Sequence, residues 1–360
     1  LFPFFVFLII YLTFIELFKG IVVNEIIKNV RIMANLSTTY MGLNLRNPLI
    51  VASSGLTENI DDIVEFEARG AGAVVIKSIF EEEIIAKAHD NLNKMQASGF
   101  IYPETMEYFD YDSMEDPISN YLDFLKKVKR ETSIPIFASI NCVTSEGWLD
   151  FAKRIEDAGV DGIELNVFSL PSDPNRTAEE NERVYFEIAH RVTSIVKIPV
   201  AMKVGYHHGA LANFLTRLSK TPIKALVLFN RFYSPDFDVN TLEFTPTSVF
   251  STPNELTTSL RWVAIMSGRV DCDIAASTGV HDGNALVKQL LAGANAVQAC
   301  STFYRNGKEQ TSFIIRQLEE WMNSNGYKTI DEFRGKMSQQ KTYNPAAFER
   351  VQFMKYFHDL

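Results

Sequence analysis

Residues 291–301 read LAGANAVQACS, and the same plan occurs twice upstream, as ARGAGAVVIKS at 68–78 and EDAGVDGIELN at 156–166. In each, Ala-Gly or Gly-Ala-Gly closes a helical pattern, a short apolar run follows, and polar residues end the run. Glycine just past a helix takes a positive φ at little cost, so these are helix-to-strand junctions. Turn chemistry accounts for the glycines. It does not account for Lys77-Ser78, Asn166 or Cys300-Ser301, which close the strands.

Outward from these junctions, the chain alternates short apolar runs with amphipathic stretches from residue 48 onward. The runs predict strands at 49–53, 73–77, 136–140, 162–166, 200–203, 225–229, 273–276 and 296–299. Helices are predicted between them, among others at 146–158, 178–196, 283–292 and 309–324. Short apolar runs bounded by turn signals are the pattern of buried parallel strands. Eight of them alternating with helices predict an α/β chain folded as a closed (β/α)8 TIM barrel rather than an open sheet. Two segments, 80–115 and 231–255, are too long for ordinary connections and are read as lids or substrate-binding loops inserted at the C-terminal face of the strands.

Composition narrows the function. The chain has 360 residues, enough for one barrel of about 250 residues with insertions. Lys and Arg number 35 against 44 Asp and Glu, a net charge of −9, which argues against nucleic-acid binding. Cys142, Cys272 and Cys300 are far apart, so a disulfide framework or cysteine-ligated metal is not expected, and a reduced, cytoplasmic setting fits. Residues 1–23, LFPFFVFLIIYLTFIELFKGIVV, are apolar enough to span a bilayer. The sequence begins with Leu, however, and Met33 stands just before the first domain-like pattern. Residues 1–32 are therefore read as an apolar extension outside the fold, and 33–360 as the barrel domain.

The strand ends carry the candidate chemistry. Lys77 ends VVIK and Lys203 ends VAMK; a lysine at the rim of a buried strand is costly without an anionic partner. Each suits a Schiff-base amine, a phosphate ligand or a cation beside an electron-rich cofactor. Asn141, Asn166 and Asn230 close three further strands and offer amides to a planar heterocycle. Ser277-Thr278-Gly279-Val280 and Cys300-Ser301-Thr302 follow strands seven and eight, where barrels frequently bind phosphate through backbone N–H groups. Ser169 is a loop hydroxyl three residues after Asn166. The pair His207-His208 has no carboxylate at metal-ligand spacing, so no metal site is expected. Neither a phosphate-binding P-loop nor a G-x-G-x-x-G dinucleotide fingerprint is present.

NPLIVASSG (47–55), VVIKS (74–78), GIELNVFS (162–169), AMKVG (201–205), STGVHDGNALVKQLLAGANAVQACSTF (277–303) and GYKTIDEFRGKM (326–337) together resemble the dihydroorotate dehydrogenases, nearest their class 1 type. The resemblance covers about residues 36–340. It implies an FMN-binding barrel that takes a proton from C5 of dihydroorotate and passes a hydride from C6 to the flavin, in pyrimidine biosynthesis. It implies that Ser54, Gly55 and Ser78 pack against the flavin and that Lys77 and Lys203 approach its ring and ribityl chain. Asn141 and Asn166 would hydrogen-bond flavin or substrate. Gly279, Cys300 and Ser301 would hold the phosphate. Lys77, Asn166 and Asn230 would face the substrate, and Ser169 falls at the position of the catalytic base. A soluble electron acceptor such as fumarate and a homodimer are implied in the same way.

The sequence departs from that pattern on the substrate side. Leu170-Pro171-Ser172 follows Ser169 in place of Pro-Asn, and the acidic GFIYPETMEYFDYDSM occupies 99–114. Arg231 stands where a small hydroxyl residue is expected, and a guanidinium there suits a carboxylate. Alternatives are a different substrate on the same FMN scaffold, a lyase using Lys203 as Schiff base, and a non-catalytic ligand-binding barrel.

Overall fold

A computed structural model of the chain describes residues 34–80, 118–141, 147–167, 170–232, 235–246 and 248–349. A short antiparallel hairpin comes first, β1 (Thr38–Tyr40) and β2 (Leu43–Leu45). Then β3 (Leu49–Val51), β4 (Ala73–Val75), β6 (Ile136–Asn141), β7 (Gly162–Asn166), β8 (Val200–Val204), β9 (Ala225–Leu228), β12 (Asp273–Ala276) and β13 (Ala296–Ala299) pair in parallel. Since β13 pairs with β3 and β4 with β6, the eight strands close into a ring. A two-residue strand, β5 (Ile79–Phe80), continues the line of β4 along β6.

The helices lie between the strands: α1 (Ile60–Ala68), α2 (Ser119–Glu131), α3 (Gly147–Asp157), α4 (Ala178–Ile195), α5 (Leu211–Leu218), α6 (Leu256–Met266) and α7 (Gly283–Ala292). After β13 come α8 (Ser301–Asn306) and α9 (Gln310–Ser324). Local chemistry marks their ends. Thr177 caps α4 by accepting the Glu180 N–H, and the Glu180 carboxylate accepts the Thr177 N–H in return. Helix α7 stops at Gly293, whose φ of +121° and whose closeness to Ser267 Oγ, 2.1 Å from where a Cβ would stand, both demand glycine.

The eight predicted strands are all present. Three are shorter than read: β3 ends at Val51, β4 at Val75 and β9 at Leu228, so Ser53, Lys77 and Ser78 sit just past the first two. The ladder fades rather than stops, because Ala52 N–H still reaches Ala299 O and Ile76 N–H reaches Phe137 O, both at 2.8 Å. The insertion at 231–255 contains a second hairpin, β10 (Pro235–Phe237) with β11 (Phe244–Pro246), whose Phe237, Leu242 and Phe244 are exposed. Of the other insertion, residues 81–117 lie outside the described residues, as do 1–33 and Cys142.

Strand alternation divides the core in two. Outward residues such as Val74, Ile163, Met202 and Leu226 pack beneath the helices. Inward residues form a separate cluster, in which Ala73, Ala201, Ala225, Ala275 and Ala296 leave room that Tyr40 and Phe137 fill edge to face, ring centroids 6.0 Å apart. The first hairpin thus plugs the N-terminal end of the barrel. Asp273 fixes it by accepting the Met41 N–H at 2.7 Å, and Arg334 of the C-terminal tail donates to Thr38 Oγ1 at 2.5 Å. With the hairpin filling that end of the barrel interior, the polar inward positions described next lie toward the C-terminal strand ends.

Candidate active site

Above the plug, the inward positions turn polar. Glu164 of β7, Lys203 of β8 and Gln298 of β13 are 3%, 8% and 1% exposed, and they bond to one another across the barrel. Lys203 Nζ donates to Gln298 Oε1 at 3.1 Å and lies 3.4 Å from Glu164 Oε1, while Gln298 Nε2 donates to Glu164 Oε2. Lys203 and Gln298 form the floor of a cavity of about 350 Å³ at the C-terminal strand ends.

Around that floor, Asn230 donates through Nδ2 to Asn166 Oδ1 at 2.8 Å, joining the ends of β9 and β7. On the opposite side Ser78 links two neighbours: its N–H reaches Ser53 Oγ at 2.9 Å, and its hydroxyl lies 2.7 Å from that of Ser139 on β6. Ser54 opens a short 3-10 turn (Gly55–Thr57) and shares a hydrogen bond with the Cys300 thiol. Burial pushes that thiol up, opposed by the Ser54 bond and the Lys203 charge. A Cβ at Gly55 would meet Tyr304 Oη at 3.0 Å.

The far wall is the loop after β12. Thr278 and Gly279 have consecutive positive φ values, +77° and +76°, and a Cβ at Gly279 would lie 2.2 Å from the Leu256 N at the start of α6. Ser301 Oγ accepts the Ser251 N–H at 2.9 Å, and Ser251 Oγ lies 3.3 Å from His281 Nε2. Burial holds His281 below the usual imidazole range, with the Arg305 charge adding to it. The N–H groups of Gly279, Val280, Ser301 and Thr302 make no hydrogen bond to protein among the described residues.

Arg231 does not project freely into the cavity it lines. Its Nε donates to Glu255 Oε2 at 2.8 Å, and its two terminal nitrogens to Val249 O and Ser248 O at 2.7 and 2.8 Å. The guanidinium fastens its own insertion, so the carboxylate clamp suggested by its position is occupied internally. Behind it lies a second cavity of about 330 Å³, shared through Asn230 and Arg231 and walled by Tyr206, Phe229 and Phe232.

The structure therefore brings Lys203, Asn230, Gly279, Cys300 and Ser301 to one cavity, with Asn166 bonded to its wall. Lys77 pairs with Glu58: its Nζ is 2.5 Å from Glu58 Oε2, and both side chains are about half exposed. Asn141, half-buried, pairs with Phe80 at the end of β6. Ser169 lies outside the described residues. His207 lies tilted against Tyr206 and edge to face with Phe232, and His208 stacks on Phe214. Among the described residues no cluster of His, Cys, Asp or Glu is placed to hold a metal ion, and no helix is long and apolar enough to cross a membrane. Sequence reading missed Glu164 and Gln298. The signal for Glu164 was available: it shares the inward parity of Asn166, two residues on, and a carboxylate there needs a partner.

An eight-stranded parallel barrel, plugged at one end and carrying a polar, lysine-floored cavity at the other, defines a (β/α)8-barrel enzyme. The chain belongs to the dihydroorotate dehydrogenase family, whose sequence model matches residues 35–322, and it is an oxidoreductase of that kind. It is 25% identical to the catalytic subunit of dihydroorotate dehydrogenase B (NAD(+)) of Thermoplasma acidophilum over 84% of this chain and 99% of that one. It is 26% identical to dihydroorotate dehydrogenase A (fumarate) of Lactococcus lactis subsp. cremoris, with the same coverage. Similarity extends to a chloroplastic dihydropyrimidine dehydrogenase (NADP(+)) of Arabidopsis thaliana, 22% identical over 84% of this chain and 76% of that one.

Proposed function

We propose that this chain is an FMN-dependent oxidoreductase that converts (S)-dihydroorotate to orotate in pyrimidine biosynthesis. The observation that carries the reading is the convergence of one lysine, two asparagine amides and a glycine-bearing loop on a single strand-end cavity. The residues present fit FMN. Lys203 on the floor suits the electron-rich edge of the ring. The four N–H groups of Gly279, Val280, Ser301 and Thr302, which make no hydrogen bond to protein among the described residues, suit a phosphate. Ser54, Gly55, Ser78, Asn141 and Asn166 complete the flavin side on resemblance to the family. When bound, the flavin supplies a two-electron acceptor.

The chain's own residues supply the rest. Asn166 and Asn230, already bonded to each other, present amide edges that orient a ring imide. Ser169 Oγ takes the proton from the substrate carbon. A hydroxyl is a weak base, so that proton must pass on to a neighbour or water as it leaves. Lys77 reaches substrate by exchanging Glu58 for an anionic ligand. The acceptor is fumarate or another soluble molecule, and the working form is a cytoplasmic homodimer of the domain at 33–360. A chain starting at Met33 is expected to fold and hold flavin as the full chain does.

A second reading is favoured by Arg231. Its guanidinium is satisfied within the protein, and an aromatic-walled chamber adjoins the cavity. Both suit an FMN enzyme acting on a related ring that lacks a carboxylate. Visible spectra recorded during anaerobic addition of dihydroorotate decide between them. Bleaching of a flavin spectrum supports dihydroorotate; an unbleached flavin that dihydrouracil reduces supports the second reading; a protein that takes up no flavin defeats both.

A further inference from the structure

The Lys203 amine is held from below. Glu164 aligns with Ala201 across the β7–β8 pair, whereas Lys203 aligns with Asn166, so the carboxylate sits one inward position deeper than the lysine. Gln298, on the far side of the barrel, closes a three-membered ring with both. Its amide has one satisfied orientation: Nε2 donates to the carboxylate and Oε1 accepts from the ammonium. A buried charge in such a site keeps its position because every alternative leaves it unpaired. The field of Glu164 extends further down. Burial first, and the Glu164 charge next, push the Tyr40 phenol up beneath it.

We propose that Glu164 is a positioning residue that sets the charge beneath the cofactor ring, neutralising Lys203 from inside the barrel and so holding the reduction potential of the bound flavin below that which an unpaired lysine would impose. The inference rests on the flavin reading above. Its physical basis is simple. Reduced flavin is anionic, and a lone ammonium at the ring edge stabilises it. An ammonium paired with a carboxylate presents a dipole whose field falls off faster, so it stabilises the anion less. Gln298 has no net charge; it fixes the geometry of the pair without altering this balance.

The test is the midpoint potential of the bound flavin, measured anaerobically against a reference dye in full-length protein. Glu164→Gln leaves Lys203 unpaired and is expected to shift the equilibrium toward reduced flavin by about tenfold, equivalent to about 30 mV for a two-electron couple. Glu164→Asp keeps the charge and is expected to restore the wild-type potential, which a purely structural role would not require. Should Glu164→Gln not accumulate as folded protein, Lys203→Gln and the double variant Glu164→Gln/Lys203→Gln carry the same comparison. The single variant leaves a lone carboxylate under the ring and lowers the potential, and removing that carboxylate raises it again. Flavin-loaded proteins whose potentials do not respond to Glu164 overturn the inference alone. Wild-type protein that takes up no flavin overturns the reading on which it rests.

Discussion

Single positions differ in how much of their role the sequence discloses. Gly279 was legible as part of a phosphate-type loop, but the reason for glycine was not, because it lies in a left-handed φ and in contact with Leu256, 23 residues away in the chain. Gly279→Ala is expected to destabilise the protein by about 2–4 kcal/mol, combining backbone strain with overpacking, as a fall in chemical-denaturation midpoint. Arg231 shows the opposite error. Its place after a strand suggested a ligand contact, yet Glu255, Ser248 and Val249 satisfy it, a competition visible only once the insertion is folded. Arg231→Met is expected to raise the KM for substrate about tenfold, the worth of one charge-assisted hydrogen bond, with flavin content unchanged. Retained KM in steady-state kinetics would mean that the anchored loop does not shape the pocket. Lys77 was read from its strand end alone; Glu58, on the turn after β3, captures it, and no local pattern announced that pairing.

Secondary-structure elements were the most legible level, since eight short apolar runs between helical patterns admit few architectures. What the pattern concealed was the work of small pieces outside the repeat. The first hairpin, unremarked in the sequence, seals one end of the barrel with Tyr40. The Tyr40 hydroxyl is buried without a hydrogen-bond partner among the described residues. Tyr40→Phe is therefore expected to stabilise the fold by about 1 kcal/mol, and Tyr40→Ala to cost about 3–5 kcal/mol through the cavity it leaves. Equilibrium urea unfolding separates the two. The insertion after β9 is held by the Arg231–Glu255 pair. Burial raises the Glu255 pKa, but the hydrogen bonds from Arg231 and Thr252 outweigh it, and the carboxyl ends below its ordinary range. A depressed folded-state pKa stabilises above the unfolded value and is lost as pH falls through the folded one. The insertion is expected to loosen below about pH 4, where protease cleavage within 235–246 should accelerate in wild type but less in Arg231→Met.

For the molecule as a whole, the division between a sealed end and an open one separates stability from chemistry. If the open end holds FMN, the ligand completes the core, and FMN at about a hundredfold excess over its Kd should stabilise by about 2.7 kcal/mol. Riboflavin, which has no phosphate for the N–H groups of Gly279, Val280, Ser301 and Thr302, should raise the melting temperature less; equal shifts would remove the phosphate site from that loop. The sealed end carries a further implication, about descent. Five alanines on five strands stand back so that one tyrosine from a preceding hairpin can enter. A large change in size at any one of the six leaves either a void or a clash. Over evolutionary time they should drift as a set: lineages that lose the bulky residue at position 40 should carry larger ones at 73, 201, 225, 275 or 296, leaving in their sequences a correlated trace of a plug that no single sequence reveals.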